Sequence, residues 1–188
     1  EKASLNMREE AIAVLGVWAN PSPLDRVDGR YRGEISRAAD DAVKLGGSTL
    51  MSLLNNGAPS IRIASLQSIK RLKISDAASN VFKMVSNDRD ADVRAQALLT
   101  LSELDSPDLE VAVKAAFEDR NSQVRVEAIK ALESMEVTPK SKIGLLEGIL
   151  ERGVPLEKQG AITALSKIDL VQTKSTIAQL LDKLVDGQ

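Results

Sequence analysis

Asp88-Arg89-Asp90-Ala91-Asp92-Val93-Arg94-Ala95-Gln96-Ala97-Leu98-Leu99-Thr100-Leu101-Ser102-Glu103-Leu104 reads as a helix with its own start signal, and its pattern returns along the chain. Asp90 is an N-cap residue type four positions ahead of Arg94. Apolar residues follow the arginine at offsets of three, four, seven and ten (Ala97, Leu98, Leu101, Leu104), on one face of an α-helix. The same offsets from Arg8 give Ala11, Ile12, Leu15 and Trp18, and from Arg62 they give Ser65, Leu66, Ile69 and Leu72. From Arg125 they give Ala128, Ile129, Leu132 and Met135, and from Lys158 Ala161, Ile162, Leu165 and Ile168. Ser4 and Asn121 repeat the N-cap position of Asp90. Where Ala58 and Val154 stand there instead, Pro59 and Pro155 follow at the first helical position.

A second helix follows each of these. Ser75, Ser106-Pro107 and Thr138-Pro139 are its expected N-caps. The stripes Ala78/Val81/Phe82/Val85, Leu109/Ala112/Val113/Ala116, Ile143/Leu146/Ile149/Leu150 and Ile177/Leu180/Leu181/Leu184 keep helical spacing. Arg62 to Arg94 is 32 residues, Arg94 to Arg125 is 31 and Arg125 to Lys158 is 33. A helix pair of that length cannot bury its own apolar face and must stack on neighbours. The expectation is an all-α fold, an α-solenoid of about five two-helix repeats forming one domain over residues 1–188. A non-repetitive helical bundle is the disfavoured alternative.

The 188 residues are 43% apolar and 28% charged, a globular balance. Aromatics amount to 2% (Trp18, Tyr31, Phe82 and Phe117), so the core is aliphatic. With no His and no Cys, the commonest general base, metal ligands, thiol nucleophiles and disulfides are excluded. No CxxCH, GxxxxGK[ST] or SxxK sequence occurs, and no catalytic, cofactor-binding or metal-ligating residue is expected. A net charge of −2 gives no overall pull towards nucleic acid or anionic lipid. The longest apolar run, Ala11 to Ala19, is far short of the roughly 18 residues a membrane span needs. The chain starts at Glu1 with neither an initiator Met nor a signal-peptide pattern, and is expected to be a piece of a longer protein.

At Asp88…Asp92-Val93-Arg94…Ala97-Leu98…Leu101…Leu104 and Asp119…Val124-Arg125…Ala128-Ile129…Leu132 the chain resembles the HEAT-repeat, armadillo-like family. A cation in a helix's first turn opposes the macrodipole, so the recurring Arg needs a partner. Asn56, Asp88 and Asp119 stand six residues before the respective arginines. The resemblance implies an Arg–Asp ladder between successive repeats, with Arg62, Arg94, Arg125, Asp88 and Asp119 as structural members. In the fifth unit Glu157-Lys158 replaces the apolar-Arg pair, which weakens the ladder contact and suits a polar terminal cap.

Arg8 to Arg62 is 54 residues, so some 22 beyond one period lie in the first repeat, at about 19–40. Asn20 to Gly33 has no helical periodicity. Pro21, Pro23 and Asp28-Gly29 signal turns. Asp25 and Asp28 lack EF-hand spacing, and the interleaved arginines would repel a cation. Arg26, Arg30 and Arg32 with Tyr31 and Trp18 could receive phosphate or nucleic acid, but Asp25, Asp28 and Glu34 cancel most of that charge. Two readings are favoured. In one, Asp25, Arg26, Asp28 and Arg30 pair with one another over the first hairpin, with Trp18 and Tyr31 packed beneath. In the other, the segment is a docking loop for a neighbouring domain, with Trp18, Asp25, Arg26, Asp28, Arg30, Tyr31 and Arg32 as candidates. Val17 to Arg32, ahead of a HEAT array, also resembles a segment of large secreted bacterial proteins of the membrane-bound dehydrogenase type. That resemblance implies a scaffold between catalytic domains and a periplasmic or extracellular location.

Gly46-Gly47 reads as a break between two short helices, with Ser48 as the next cap. Arg62, Lys70, Arg71 and Lys73 form a basic patch, expected to be a solvated helix end. Second helices would line a concave surface through Asn80, Lys83, Glu110 and Lys114, and later through Glu147, Glu151, Gln179 and Lys183. The expected function is a non-catalytic scaffold that binds or orients a protein partner or flanking domain. A HEAT-like lyase or cofactor-handling protein is the alternative, and a nucleic-acid-binding solenoid ranks third.

Overall fold

A computed structural model describes residues 3–185, most of which are helical. The ten α-helices among them are α1 (Leu5–Gly16), α2 (Ala39–Leu53), α3 (Pro59–Leu72), α4 (Ala78–Asn87), α5 (Ala91–Glu103), α6 (Leu109–Phe117), α7 (Ser122–Ser134), α8 (Pro139–Arg152), α9 (Pro155–Leu165) and α10 (Leu170–Val185). The fold class is all-α, built of two-helix hairpins as in an α-solenoid. The chain divides into two compact units, Glu1–Ala112 and Val113–Gln188.

In the first unit α1 packs on α3 and α3 on α5, so first helices lie side by side, while α2 packs on α3 and α4 on α5. In the second unit α7 packs on α9, α8 on α9 and α10 on α8. Second helices α2, α4 and α8 thus each cross onto the first helix of the following repeat. This is why a single hairpin cannot supply its own core. Ile61, Leu66, Ile69, Val81, Leu98 and Leu101 are fully buried in the first unit. Leu132, Leu146 and Leu165 are at most 2% exposed in the second.

The start signals act as their residue types require. Ser4 accepts from the Met7 amide, Asp90 from Asp92 and Val93, Asn121 from Gln123 and Thr138 from Ser141. Ser106 accepts from the Asp108 amide. Ser75 does not act as the expected cap: it opens a 3-10 turn over Ser75–Ala77, and its hydroxyl donates to the Lys73 carbonyl.

Three expectations are corrected by the packing. Helix α2 runs unbroken through Gly46-Gly47 and Ser48. A Cβ at Gly46 would lie 2.6 Å from Leu15 Cδ2, so this glycine admits α1 at short range instead of ending a helix. Trp18, in a column whose members Leu72, Leu104 and Met135 are buried, is 40% exposed because α1 ends at Gly16 and the ring lies beyond the packed face. Ile162 is likewise exposed, although Leu66, Leu98 and Ile129 in its column are buried. In the second unit α9 stands against Ile129 of that column, and no first helix follows α9 among the described residues. The side chains of Lys183 and Leu184 lie outside the described ones.

Hydroxyls make a contact between repeats that periodicity did not reveal. Ser68 Oγ donates to the Ile12 carbonyl on α1, and Thr100 Oγ1 to the Leu66 carbonyl on α3. Both donors stand six residues after the repeat arginine, and both acceptors stand four after the preceding one. Small hydroxyl side chains let the two helix backbones approach while satisfying a buried donor. At Gly16 the approach is tightest, since an added Cβ would stand 2.9 Å from Ser68 Cα.

Candidate functional site

Arg62 joins two turns. Arg62 Nε and Nη2 donate to the two carboxylate oxygens of Asp88 at 2.9 and 2.8 Å, while Nη1 donates to the Asn56 carbonyl at 2.8 Å. The two side chains are only 11% and 10% exposed. Asp88 Oδ1 also accepts the Asp90 amide, so one carboxylate shapes its own turn and receives the preceding repeat's cation. Arg94, 4% exposed, donates Nη1 to the Asp88 carbonyl, six residues back, and Asp119 accepts the Asn121 amide. Asn56 makes the same turn through the Ala58 amide.

Arg125 takes its acid from within the following first helix, where Arg62 takes its own from the following turn. Its Nη1 holds the Asp119 carbonyl, but Nε and Nη2 reach Glu157 Oε1 at 3.0 and 2.6 Å. Glu157 is 3% exposed, and its other oxygen accepts the Val154 amide at the start of α9. Sequence reasoning placed Glu157 in a polar cap. The structure makes it a buried acceptor, because the longer Glu arm reaches from within α9 to where a turn Asp would stand.

The insertion between α1 and α2 is a small hairpin. Asp25 Oδ1 accepts the amides of Val27 and Asp28, the Asp25 amide donates to the Arg30 carbonyl, and the Arg32 amide donates to the Pro23 carbonyl. Leu24 and Tyr31 form an isolated antiparallel bridge. Gly29 and Gly33 take φ of +70° and +93°, a region open to glycine at little cost. Arg32 bonds both Asp25 and Asp28, while Arg30 approaches Asp28 at 3.6 Å. The Val27 and Asp28 amides, then Arg32, hold the Asp25 carboxyl below the usual carboxylate range. With these oxygens bonded to amides and arginine, the pair is not arranged as a cation site. Among the described residues no group of three or more His, Cys, Asp or Glu could hold a metal.

Pairing within the loop differs from the expectation in two respects. Arg26 reaches out to Glu10 on α1 at 2.9 Å. The aromatic rings are not packed beneath: Tyr31 is 67% exposed, and Trp18 lies under the Arg37 guanidinium, 4.5 Å from ring centroid to Cζ. Arg37 also ties the base of the loop, its amide to the Ala19 carbonyl and Nη1 to the Trp18 carbonyl.

The basic stretch 61–75 is not one free patch, since Arg62 is held by Asp88 and Lys73 Nζ by the carbonyl and carboxylate of Glu103. Of the outward positions on second helices, Asn80 and Lys83 line a groove of about 680 Å³ in the first unit, with Arg62 and Asp88 at one side. Glu147 instead accepts from Thr176 at 2.7 Å. In the second unit a groove of about 370 Å³ beside Arg125 and Glu157 is lined on α8 by Leu145, Gly148 and Arg152. Glu110, Lys114, Glu151 and Gln179 are exposed. No helix among the described residues is long and apolar enough to cross a membrane.

Residues 47–133 match the HEAT-repeats family model. That segment, just under half of the chain, is similar to HEAT repeats and includes Arg62, Arg94 and Arg125 with Asp88 and Asp119. The hairpins of α8 to α10 continue the pattern beyond it. No curated protein matches the chain in sequence. The match leaves the insertion outside, and the dehydrogenase-type resemblance of residues 17–32 gains no support from it.

Proposed function

We propose that this chain is a non-catalytic scaffold whose insertion docks a protein partner or a neighbouring domain. HEAT repeats generally serve in protein interaction or scaffolding. The observation that carries the reading is the combination of a well-tied hairpin with apolar side chains held in solvent. Val27 at the tip is 96% exposed, Tyr31 67% and Leu24 51%. A loop stabilised by three carboxylates and three arginines loses little conformational entropy on binding. Exposed aromatic and aliphatic groups on such a base suit the centre of a protein interface. Trp18 with its stacked Arg37 extends the same surface, and Asp25, Arg26, Asp28, Arg30 and Arg32 form its polar rim.

The test places a photo-cross-linking residue at position 27 of the protein as its own cells make it, and identifies the adduct by mass spectrometry. The captured protein or domain is then titrated against the wild-type chain and a Val27→Asp/Tyr31→Ser variant. The reading expects at least about a tenfold weaker affinity for the variant. Equal affinities, or no adduct at position 27, would refute it.

A further inference from the structure

Asn56-Gly57 is the single Asn-Gly step in the sequence, and it lies in the turn between α2 and α3. Gly57 is exposed and Asn56 half-buried. An Asn side chain and the next backbone nitrogen can close a cyclic imide, and a glycine offers that nitrogen with no Cβ in the way. Among the described residues the Gly57 N–H meets no acceptor, whereas the Gly29 amide of the Asp28-Gly29 step is held by the Asp25 carbonyl at 3.0 Å. The other asparagines are worse placed. Asn20 precedes Pro21, whose nitrogen carries no hydrogen, and Asn6 and Asn80 lie inside helices.

Two contacts bias this turn towards the reaction. Asn56 Oδ1 accepts the Ala58 amide at 3.0 Å, an Asx turn that folds the side chain back along its own main chain and polarises the Cγ carbonyl. Arg62 Nη1 donates to the Asn56 carbonyl at 2.8 Å and to the Gly57 carbonyl at 3.2 Å. The first of these oxygens shares its peptide group with the Gly57 nitrogen. When that nitrogen gives up its proton, the negative charge spreads onto an oxygen already facing a guanidinium. The leaving group, Asn56 Nδ2, bonds to no protein acceptor among the described residues. An acid also fits the turn. Asp88 and Asp119 hold the corresponding places six residues before Arg94 and Arg125, and accept the amides of Asp90 and Asn121 as Asn56 accepts that of Ala58.

We propose that Asn56 is a deamidation site, where the folded chain converts itself to the aspartate that its later repeats carry. The Gly57 nitrogen, its proton taken by hydroxide or water, attacks Asn56 Cγ. The N–Cγ bond forms, the Cγ–Nδ2 bond breaks, and ammonia leaves with a proton from water, giving a succinimide. Water then opens the ring. Addition at Cγ breaks the N–Cγ bond and yields Asp, whereas addition at the main-chain carbonyl carbon yields isoaspartate, with an extra methylene in the backbone. In sum one water enters and one ammonia leaves. An isoaspartyl link would shift the carbonyl that Arg62 holds and open the Asx turn, so the folded turn favours the aspartyl product. The insertion and its partner play no part in this chemistry.

The purified protein is incubated at mildly alkaline pH and digested under mildly acidic conditions. The peptide carrying Asn55 and Asn56 is followed by mass spectrometry with electron-transfer fragmentation, which tells aspartyl from isoaspartyl. First-order gain of acid at Asn56, with Asn55 intact, is expected in the folded chain, and a larger aspartyl share than in the same chain unfolded in urea. Gly57→Ala should slow the conversion at least about tenfold by crowding the attacking nitrogen. A Cβ at Gly57 would meet nothing within 4 Å, and Gly57 does not take a positive φ, so the variant keeps the turn. Asn56→Asp should melt at the wild-type midpoint. Asn56 intact in the folded chain while it converts in urea would overturn the proposal, as would an unchanged rate in Gly57→Ala or equal conversion of Asn55. An isomer ratio indifferent to folding, or a lower midpoint for Asn56→Asp, would overturn it too.

Discussion

Replacing Asp88 with Ala should destabilise the first unit by about 3 kcal/mol. The carboxylate receives Arg62 through two hydrogen bonds and the Asp90 amide through a third, at 2.8, 2.9 and 3.0 Å. Losing the acceptor of the turn resembles losing an N-cap and costs about 1 kcal/mol. Leaving a guanidinium unpaired at low exposure costs about 1–3 kcal/mol, and the value belongs in the middle of that range. Arg62 keeps its bonds to the Asn56 and Gly57 carbonyls, and its side chain is 11% exposed. Asp88→Asn preserves an oxygen for the Asp90 amide, as Asn56 does in its own turn, and should cost only about 1–2 kcal/mol. Urea unfolding is followed by fluorescence of Trp18, the single tryptophan, which lies in the same unit as Asp88. In a thermal scan 3 kcal/mol corresponds to a drop of about 6–12 °C for a chain of this size. An Asp88→Ala midpoint within about 0.5 kcal/mol of wild type would refute the reasoning, since it would mean that the pair and the turn contribute nothing net.

The remaining predictions concern the second unit, the glycines and the insertion. Glu157→Ala should destabilise by about 2–4 kcal/mol, because it strips Arg125 and the Val154 amide of one buried acceptor. Glu157→Gln should recover about half of that loss in the same urea titration. Gly16→Ala forces a methyl against Ser68 Cα and should cost about 1–3 kcal/mol. Gly46→Ala meets only the mobile end of Leu15, and alanine's helix propensity offsets about 1 kcal/mol, so its midpoint should stay near wild type. Asp25 has a folded-state pKa below its unfolded value of 3.8. Its contribution is therefore present above that value and is lost as pH falls through the lower folded one. The Val27 and Asp28 amide resonances should accordingly titrate with a midpoint under 3.8, and a midpoint at or above it would contradict the assigned hydrogen bonds.

Most of the architecture was legible because one face of each first helix is written in a fixed register to a basic residue. What escaped depends on partners distant in sequence. Gly46-Gly47 looks like a helix break until Leu15 of α1 is seen against it. Ser68 and Thr100 occupy matching positions in the sequence, but nothing local says that their hydroxyls reach a carbonyl on the preceding repeat. Glu157 stands in a different column from Asp88 and serves the same end through its length. In the insertion the turn chemistry was readable from Asp25, Asp28 and Gly29, whereas the attachment of Arg26 to Glu10 and the stacking of Arg37 on Trp18 were not.

The first hairpin stands apart in how it is fastened. Arg8 is exposed, and Asn56 occupies the place where later repeats carry an acid, so α1 and α2 join α3 through packing and the Ser68 hydroxyl. Between them, the hydrogen bond from the Arg37 amide to the Ala19 carbonyl brings the two ends of the insertion together. Whatever is threaded between those two residues need not alter the fastening of the repeats that follow. This makes the segment a natural socket, where sequence can be lengthened, shortened or exchanged while the stacked helices keep their register.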